Sequence, residues 1–239
     1  MTRDYYEIIK DKTALRNFIE WLPELAEHEK YYLALFARKK YNKDVPWIKT
    51  DKAQLKRFLS DKKRMYDKIA QLEVPIGAYN FDGNHAPQDC LALYITPNPR
   101  DMWKATIRSI KALATVIECQ GKNSNPHQEV ISEIHRTCGN KVFIDFDIDS
   151  KDPEIIKTAL ALVDNKCELL ETRGGFHIMV RSKDAKAGFS EKMWYKKLTE
   201  LADVSADANG MIPVCGATQG NFMPKFVNPL DFFVNNPTV

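Results

Sequence analysis

No stretch of this 239-residue chain is apolar for the roughly 20 residues that a helix needs to span a bilayer. The amino terminus is polar, Met1 being followed by Thr-Arg-Asp-Tyr-Tyr, so no secretory leader is expected. Cysteine is scarce and scattered. Cys90, Cys119, Cys138, Cys167 and Cys215 are odd in number and none are close together, which argues against a disulfide framework. A reducing, intracellular setting, the cytoplasm, is therefore expected. There is no internal repeat, low-complexity tract or clear linker, so one domain is expected to cover residues 1–239. Net charge is also slight, at +3.

The distribution of charge is more informative than its sum. Residues 38–64 hold eleven basic side chains against three acids, Asp44, Asp51 and Asp61, and so carry +8, leaving −5 on the remainder. A basic stretch on a slightly acidic body suits a polyanion. A solvated helix face is the plainer reading of the same pattern.

Periodicity predicts mixed α and β structure. Residues 12–27 read as a helix, 30–41 as a strand ending in basic residues, and 51–72 as a second helix with Leu55, Phe58, Leu59, Met65 and Ile69 along one face. A strand over 89–101 is closed by Pro97 and Pro99, a helix follows over 101–118, and 121–127 is a loop. In the second half, 141–149 is a strand, Asp152 caps a helix with Pro153 at its first position, and 167–173 and 174–182 are strands about a Gly-Gly turn. A helix capped by Ser190 covers 190–203, and short strands surround a Gly-rich turn over 212–227. The order strand–helix–strand–strand–helix–strand predicts an α+β fold: an RRM-like, ferredoxin-like antiparallel sheet over 141–239, preceded by an α/β lobe over 1–140.

The stretch "KVFIDFDIDS" (141–150) carries the clearest chemical signal. Alternation in a strand sends Asp145, Asp147 and Asp149 to one face, as bare carboxylates roughly 7 Å apart. Like charges so placed call for a cation, and hard divalent ions take one or two carboxylates together with substrate phosphates. Asp145 and Asp147 are the candidate ligands of an Mg2+ or Mn2+ pair. Nucleases, glycosyltransferases and polymerases all use such a pattern.

In "ETRGGFHIMV" (171–180), Gly174 and Gly175 allow a tight turn and close approach of the backbone to a ligand. Thr172, Arg173, the Gly175 amide and His177 form a candidate triphosphate cradle. Downstream, Asp203 or Asp207 could complete a carboxylate triad. Lys225 could supply a point charge to a phosphate.

Taken together and in this order, these segments resemble the archaeo-eukaryotic primase superfamily, which includes primase small subunits and PrimPol enzymes. "FIDFD" resembles its Asp-x-Asp motif, "TRGGFH" its glycine-and-histidine motif, and an acid 25–30 residues later its third motif. The resemblance covers residues 140–227. It implies a template-dependent nucleotidyltransferase, a DNA primase or primase-polymerase, that builds or extends primers from nucleoside triphosphates at a two-metal site. Carried over residue by residue, it makes Asp145, Asp147 and Asp207 the metal-holding catalytic acids, with Asp203 the alternative third, and His177 the phosphate binder. Asp149 has no counterpart in the motif.

A zinc stem, common in that family, is not expected here, because Cys119, His127, His135 and Cys138 contain no close Cys-x-x-Cys pair. The expected partners are single-stranded or primed DNA, nucleoside triphosphates, and a helicase or accessory primase domain acting in trans, but no membrane. Arg38, Lys39, Lys40, Arg100 and Lys104 are the expected backbone-tracking cations. Tyr41 and Trp47 are candidates to stack bases, and Trp103 is expected in the core. Two other readings stand beside this one: a metal-dependent nuclease using the same acids, and a non-catalytic nucleic-acid-binding module on an RRM-like sheet.

Overall fold

The computed structural model describes residues 4–81, 83–118, 125–207 and 210–235. The first half runs α1 (Lys12–Trp21), β1 (Glu29–Ala37), β2 (Ala53–Ser60), α2 (Lys62–Ala70), β3 (Asn80–Phe81), β4 (Asn84–His85), β5 (Leu91–Ile95), β6 (Arg100–Asp101), α3 (Met102–Glu118) and α4 (Pro126–Arg136). The second runs β7 (Phe143–Ile148), α5 (Pro153–Leu162), β8 (Glu168–Glu171), β9 (Phe176–Arg181), α6 (Ser182–Ala187), α7 (Trp194–Glu200), β10 (Val204–Asp207), β11 (Ile212–Pro213), β12 (Lys225–Val227) and α8 (Pro229–Asn235).

Local chemistry sets many boundaries. Asp11 caps α1 by accepting from the amides of Thr13 and Ala14, and Leu22, held extended ahead of Pro23, stops the helix short of the expected residue 27. Asp152 caps α5 and Pro153 occupies its first turn, as expected. The expected helix over 51–72 is overturned. Residues 53–60 pair antiparallel with β1 along their length, from Tyr31 opposite Ser60 to Ala37 opposite Ala53, and Asp61 then caps α2. A nonlocal strand partner outweighs the helical spacing of Leu55, Phe58 and Leu59. Ser190 caps no helix: α7 begins at Trp194, and the Ser190 amide donates instead to Asp164. Residues 126–127 open α4 rather than a loop, while the rest of that expected loop, 121–124, lies outside the described residues.

One sheet has the order β11-β5-β1-β2, with β6 paired to β1; the other has the order β10-β7-β9-β8-β12. All pairings are antiparallel. Within the second sheet, the four strands of the unit β7-α5-β8-β9-α7-β10 sit in the spatial order fourth-first-third-second, the split βαβ arrangement. The lobes are not successive in the chain, because β11 returns to the first sheet before β12 joins the second.

The second sheet is covered on both faces. Phe146, Ile148, Ile178 and Val180 pack under α5 and α7 with Leu160 and Leu198. On the other face Phe143, Leu170 and Met179 join a core shared with Leu15 and Phe18 of α1, Leu22 at its end, and Leu33 and Leu35 of β1. The Trp21 ring stacks on Phe143 at 5.0 Å, which ties α1 to β7. Burying a side chain the size of Phe143 contributes about 2–3 kcal/mol. This shared core fixes the angle between the sheets and leaves a cleft where Phe143 gives way to aspartate along β7. Among the described residues, no helix is long and apolar enough to cross a membrane.

Candidate active site

Along β7 the face that holds Phe143 at the core end holds Asp145 and Asp147 toward the cleft. Asp145 is 3% exposed, and its carboxylate oxygens lie 3.0 and 3.2 Å from Nδ1 of His177. Nε2 of the same ring is 3.6 Å from Oδ1 of Asp147. The strand register produces this contact, because His177 on β9 is directly opposite Asp147 on β7. Burial, together with Asp149 and Asp145, holds the Asp147 carboxyl above its ordinary range, despite the opposing pull of His177 and Lys40.

On the other side of β7, β10 sets Asp207 opposite Asp145 and Ser205 opposite Asp147. Directly opposed residues of an antiparallel pair share a face. The backbone register therefore sets Asp207, not Asp203, opposite Asp145. Asp203 sits in the preceding turn at φ 59°, and its carbonyl accepts from the Asp149 amide at 2.9 Å. Asp149, which has no counterpart in the family motif, also lines the cleft.

The turn between β8 and β9 is closed by Thr172, whose amide donates to the Gly175 carbonyl and whose hydroxyl accepts from the Gly175 amide. Gly175 makes its close approach to protein rather than to a ligand, as a Cβ there would lie 1.9 Å from the Ile148 carbonyl and 2.8 Å from the Ser150 amide. It lets the turn lie against the end of β7. Gly174 has open space at its Cβ position and lines the cleft with Thr172 and His177.

Arg173 turns away from the cleft. Its Nη2 donates to the Tyr41 carbonyl at 3.2 Å, its guanidinium lies 4.6 Å above the Tyr41 ring, and its amide donates to Gln219. Gln219 Nε2 in turn donates to the Tyr94 hydroxyl, which also meets Arg38 and, at 3.1 Å, the Tyr41 hydroxyl. This network latches the β8–β9 turn to the first lobe and seats the basic segment that follows β1.

That segment forms the facing wall. Arg38, Lys40 and Lys52 line the same cleft of about 370 Å³ as Asp147, Asp149, Thr172, Gly174 and His177, with Phe36, Tyr41, Tyr94, Met211 and Gln219 at its floor and sides. Asp147 and Asp149 of the second lobe thus face Arg38, Lys40 and Lys52 of the first, with Asp51 among those cations. The aromatic and Gln219 contributions could not be read from sequence spacing. The only hint was the Gly216–Gly220 bracket around Gln219.

Other expected contacts are not brought together. Arg100 is 1% exposed and cannot track a polynucleotide. Lys104 pairs with Asp101 at the start of α3, and Lys225 pairs with Glu171; neither lines the cleft. Lys39 is exposed beside it. Tyr41 is buried between two guanidinium groups, and Trp47 packs on the core while its Nε1 donates to the His85 carbonyl, so neither ring is free to stack a base. Trp103, expected inside, is 70% exposed.

Among the described residues, no group of three or more His, Cys, Asp or Glu side chains is arranged to enclose an ion; Cys119 lies outside them. No family model matches the chain, and no curated protein or solved structure matches it either.

Proposed function

We propose that this chain is a template-dependent nucleotidyltransferase of the primase-polymerase kind, acting on a nucleoside triphosphate and single-stranded or primed DNA. One observation carries the reading: Asp147 of β7 and Asp149 just past it face Arg38, Lys40 and Lys52, with Asp51 among these cations, across one cleft. A nucleotide polyphosphate with its counter-cation needs such a polarised space, with anionic oxygens turned to Arg38, Lys40 and Lys52 and the cation turned to the acids.

The residues present fit Mg2+ or Mn2+. Asp145, Asp147 and the register-matched Asp207 offer only hard oxygen donors. Such ions are held through one or two carboxylates plus substrate phosphates, so a closed protein cage is not required. When bound there, the metal would supply charge neutralisation at the phosphates and a lowered pKa for the attacking 3′-oxygen.

The chain's own groups do the rest. Lys40, Arg38 and Lys52 hold and orient the triphosphate. The open backbone at Gly174 and the Thr172 side of the turn border it. His177 lies between Asp145 and Asp147, which keeps two like charges at fixed spacing, and it lines the cleft where the triphosphate would sit. The 3′-hydroxyl of the primer loses its proton to water as its oxygen forms a bond to the α-phosphorus, the bond to the β-phosphate oxygen breaks, and pyrophosphate leaves with that electron pair.

Two features weigh against a simple binding module. Phe143 and Phe146 are each 0% exposed, and both faces of their sheet are covered, so no aromatic of β7 is available to a base. Primer extension tests the proposal: labelled nucleotides, a primed template and Mg2+ or Mn2+, with Asp145→Asn and Asp147→Asn as controls. Extension that both substitutions abolish supports it. Primer degradation without nucleotide dependence would assign the cleft to a nuclease.

A further inference from the structure

Helix α3 has two apolar faces, and only one is covered. Ala105 and Ser109 are buried against the body. On the opposite side Trp103, Ile107, Ile110 and Ile117 recur at helical spacing and are 57–77% exposed. Four large apolar side chains aligned over most of a 17-residue helix are a patch, not scattered surface residues.

The borders of this stripe differ. Lys104, Arg108 and Lys111 each follow a stripe residue by one position and fall on one edge, which is cationic over these residues and ends at Glu118, while Thr106 and Leu113 mark the other edge. The acids that pair with these cations lie beneath them: Asp101 is 5% and Glu133 8% exposed. The outward side of the edge is therefore cationic. Beside Ile107 it opens into a recess of about 260 Å³ walled by Lys104, Arg108 and Arg136.

We propose that this face of α3 docks an amphipathic helix of a partner protein, one whose apolar stripe is bordered on one side by carboxylates. Apolar packing on Trp103, Ile107 and Ile110 would supply affinity, and an acidic side chain entering the recess would set the register. A second copy of this chain fits poorly. An antiparallel two-fold pair centred on Lys111 matches Lys104 to Glu118 but sets the two Lys111 ammonium groups together and brings only Ala114 and Thr115 to the recess at Arg108 and Arg136, and a parallel pair sets the cationic edge against Thr106 and Leu113, which offer no acid. A lipid surface also fits poorly, because an interfacial helix carries cations on both sides of its apolar face. The inference stands independently of the chemistry in the cleft.

Two synthetic helical peptides with the same leucine stripe, one edged with glutamate and one with lysine, test it against the full chain. Trp103 fluorescence reports binding. The glutamate-edged peptide is expected to bind at least tenfold tighter. Ile107→Asp/Ile110→Asp should abolish binding with an unchanged melting temperature, since both side chains are exposed. Lys104→Glu/Lys111→Glu should reverse the preference toward the lysine-edged peptide. Equal affinity for both peptides would overturn the proposal. So would binding to phosphatidylserine vesicles in place of peptide, or a dimer in sedimentation that the isoleucine substitutions dissolve.

Discussion

His177 holds Nδ1 at 3.0 Å from Oδ1 of Asp145 and Nε2 at 3.6 Å from Oδ1 of Asp147, so one ring spans both acids. Removing it leaves a nearly buried carboxylate without its imidazole partner. His177→Ala is expected to destabilise the metal-free protein by about 2 kcal/mol. It should also recover more stability than the parent on addition of Mn2+, because two acids that have lost the imidazole between them gain more from a cation. Calorimetry with and without Mn2+ checks this; an equal Mn2+ response in both proteins would remove His177 from the role of spacer between the acids.

Gly175 and Gly174 are adjacent and should respond oppositely. A methyl group at 175 would meet the Ile148 carbonyl at 1.9 Å, and that neighbour is backbone. Gly175→Ala should cost about 3 kcal/mol, whereas Gly174→Ala should stay within about 0.5 kcal/mol. Urea denaturation of the two variants separates them, and similar midpoints would contradict the close approach.

Arg173 acts at a distance from the cleft, through Tyr41. Arg173→Met removes the hydrogen bond to the Tyr41 carbonyl and the cation over its ring. The basic segment then loses its seat, so the KM for nucleotide should rise about tenfold, a loss of about 1.4 kcal/mol, with a smaller change in kcat. Arg173→Lys should rescue only part, as it keeps the charge but not the planar donor fork. A change confined to kcat would refute the positioning role.

His135 makes stability depend on pH. Burial, helped by Arg100 and Arg136, lowers its pKa from 6.5 to about 4. The unfolded chain therefore takes up this proton first as pH falls. The neutral ring's contribution is complete above pH 6.5 and is lost progressively down to about pH 4. Allowing for partial exposure, the loss is about 2 kcal/mol. His135→Phe, which keeps a ring against Tyr32, should flatten the acid limb of a melting-temperature profile. An unchanged limb would locate the acid sensitivity elsewhere.

The acid motif was legible because period-two alternation is a local property: any strand over 143–148 puts Asp145 and Asp147 on one face. The Asp152–Pro153 helix start was legible for the same reason. The strand at 53–60 was not, because its pairing with β1 is a nonlocal contact that helical spacing does not register. The fates of the arginines were equally hidden. Arg38 reaches the cleft, Arg173 clamps Tyr41 from outside it and Arg100 is buried, although all three had read alike as phosphate binders.

The sequence by itself therefore determined which carboxylates share a face, where two helices begin and that His177 lies on a strand beside the acids. Tertiary structure decided the rest: that Asp207 rather than Asp203 is set opposite Asp145, that Asp149 borders the cleft, and which cations face the acids. The physical reason is reach. Backbone periodicity acts over a few residues, whereas a long flexible side chain finds its partner only after two sheets have packed and burial has fixed which directions remain open.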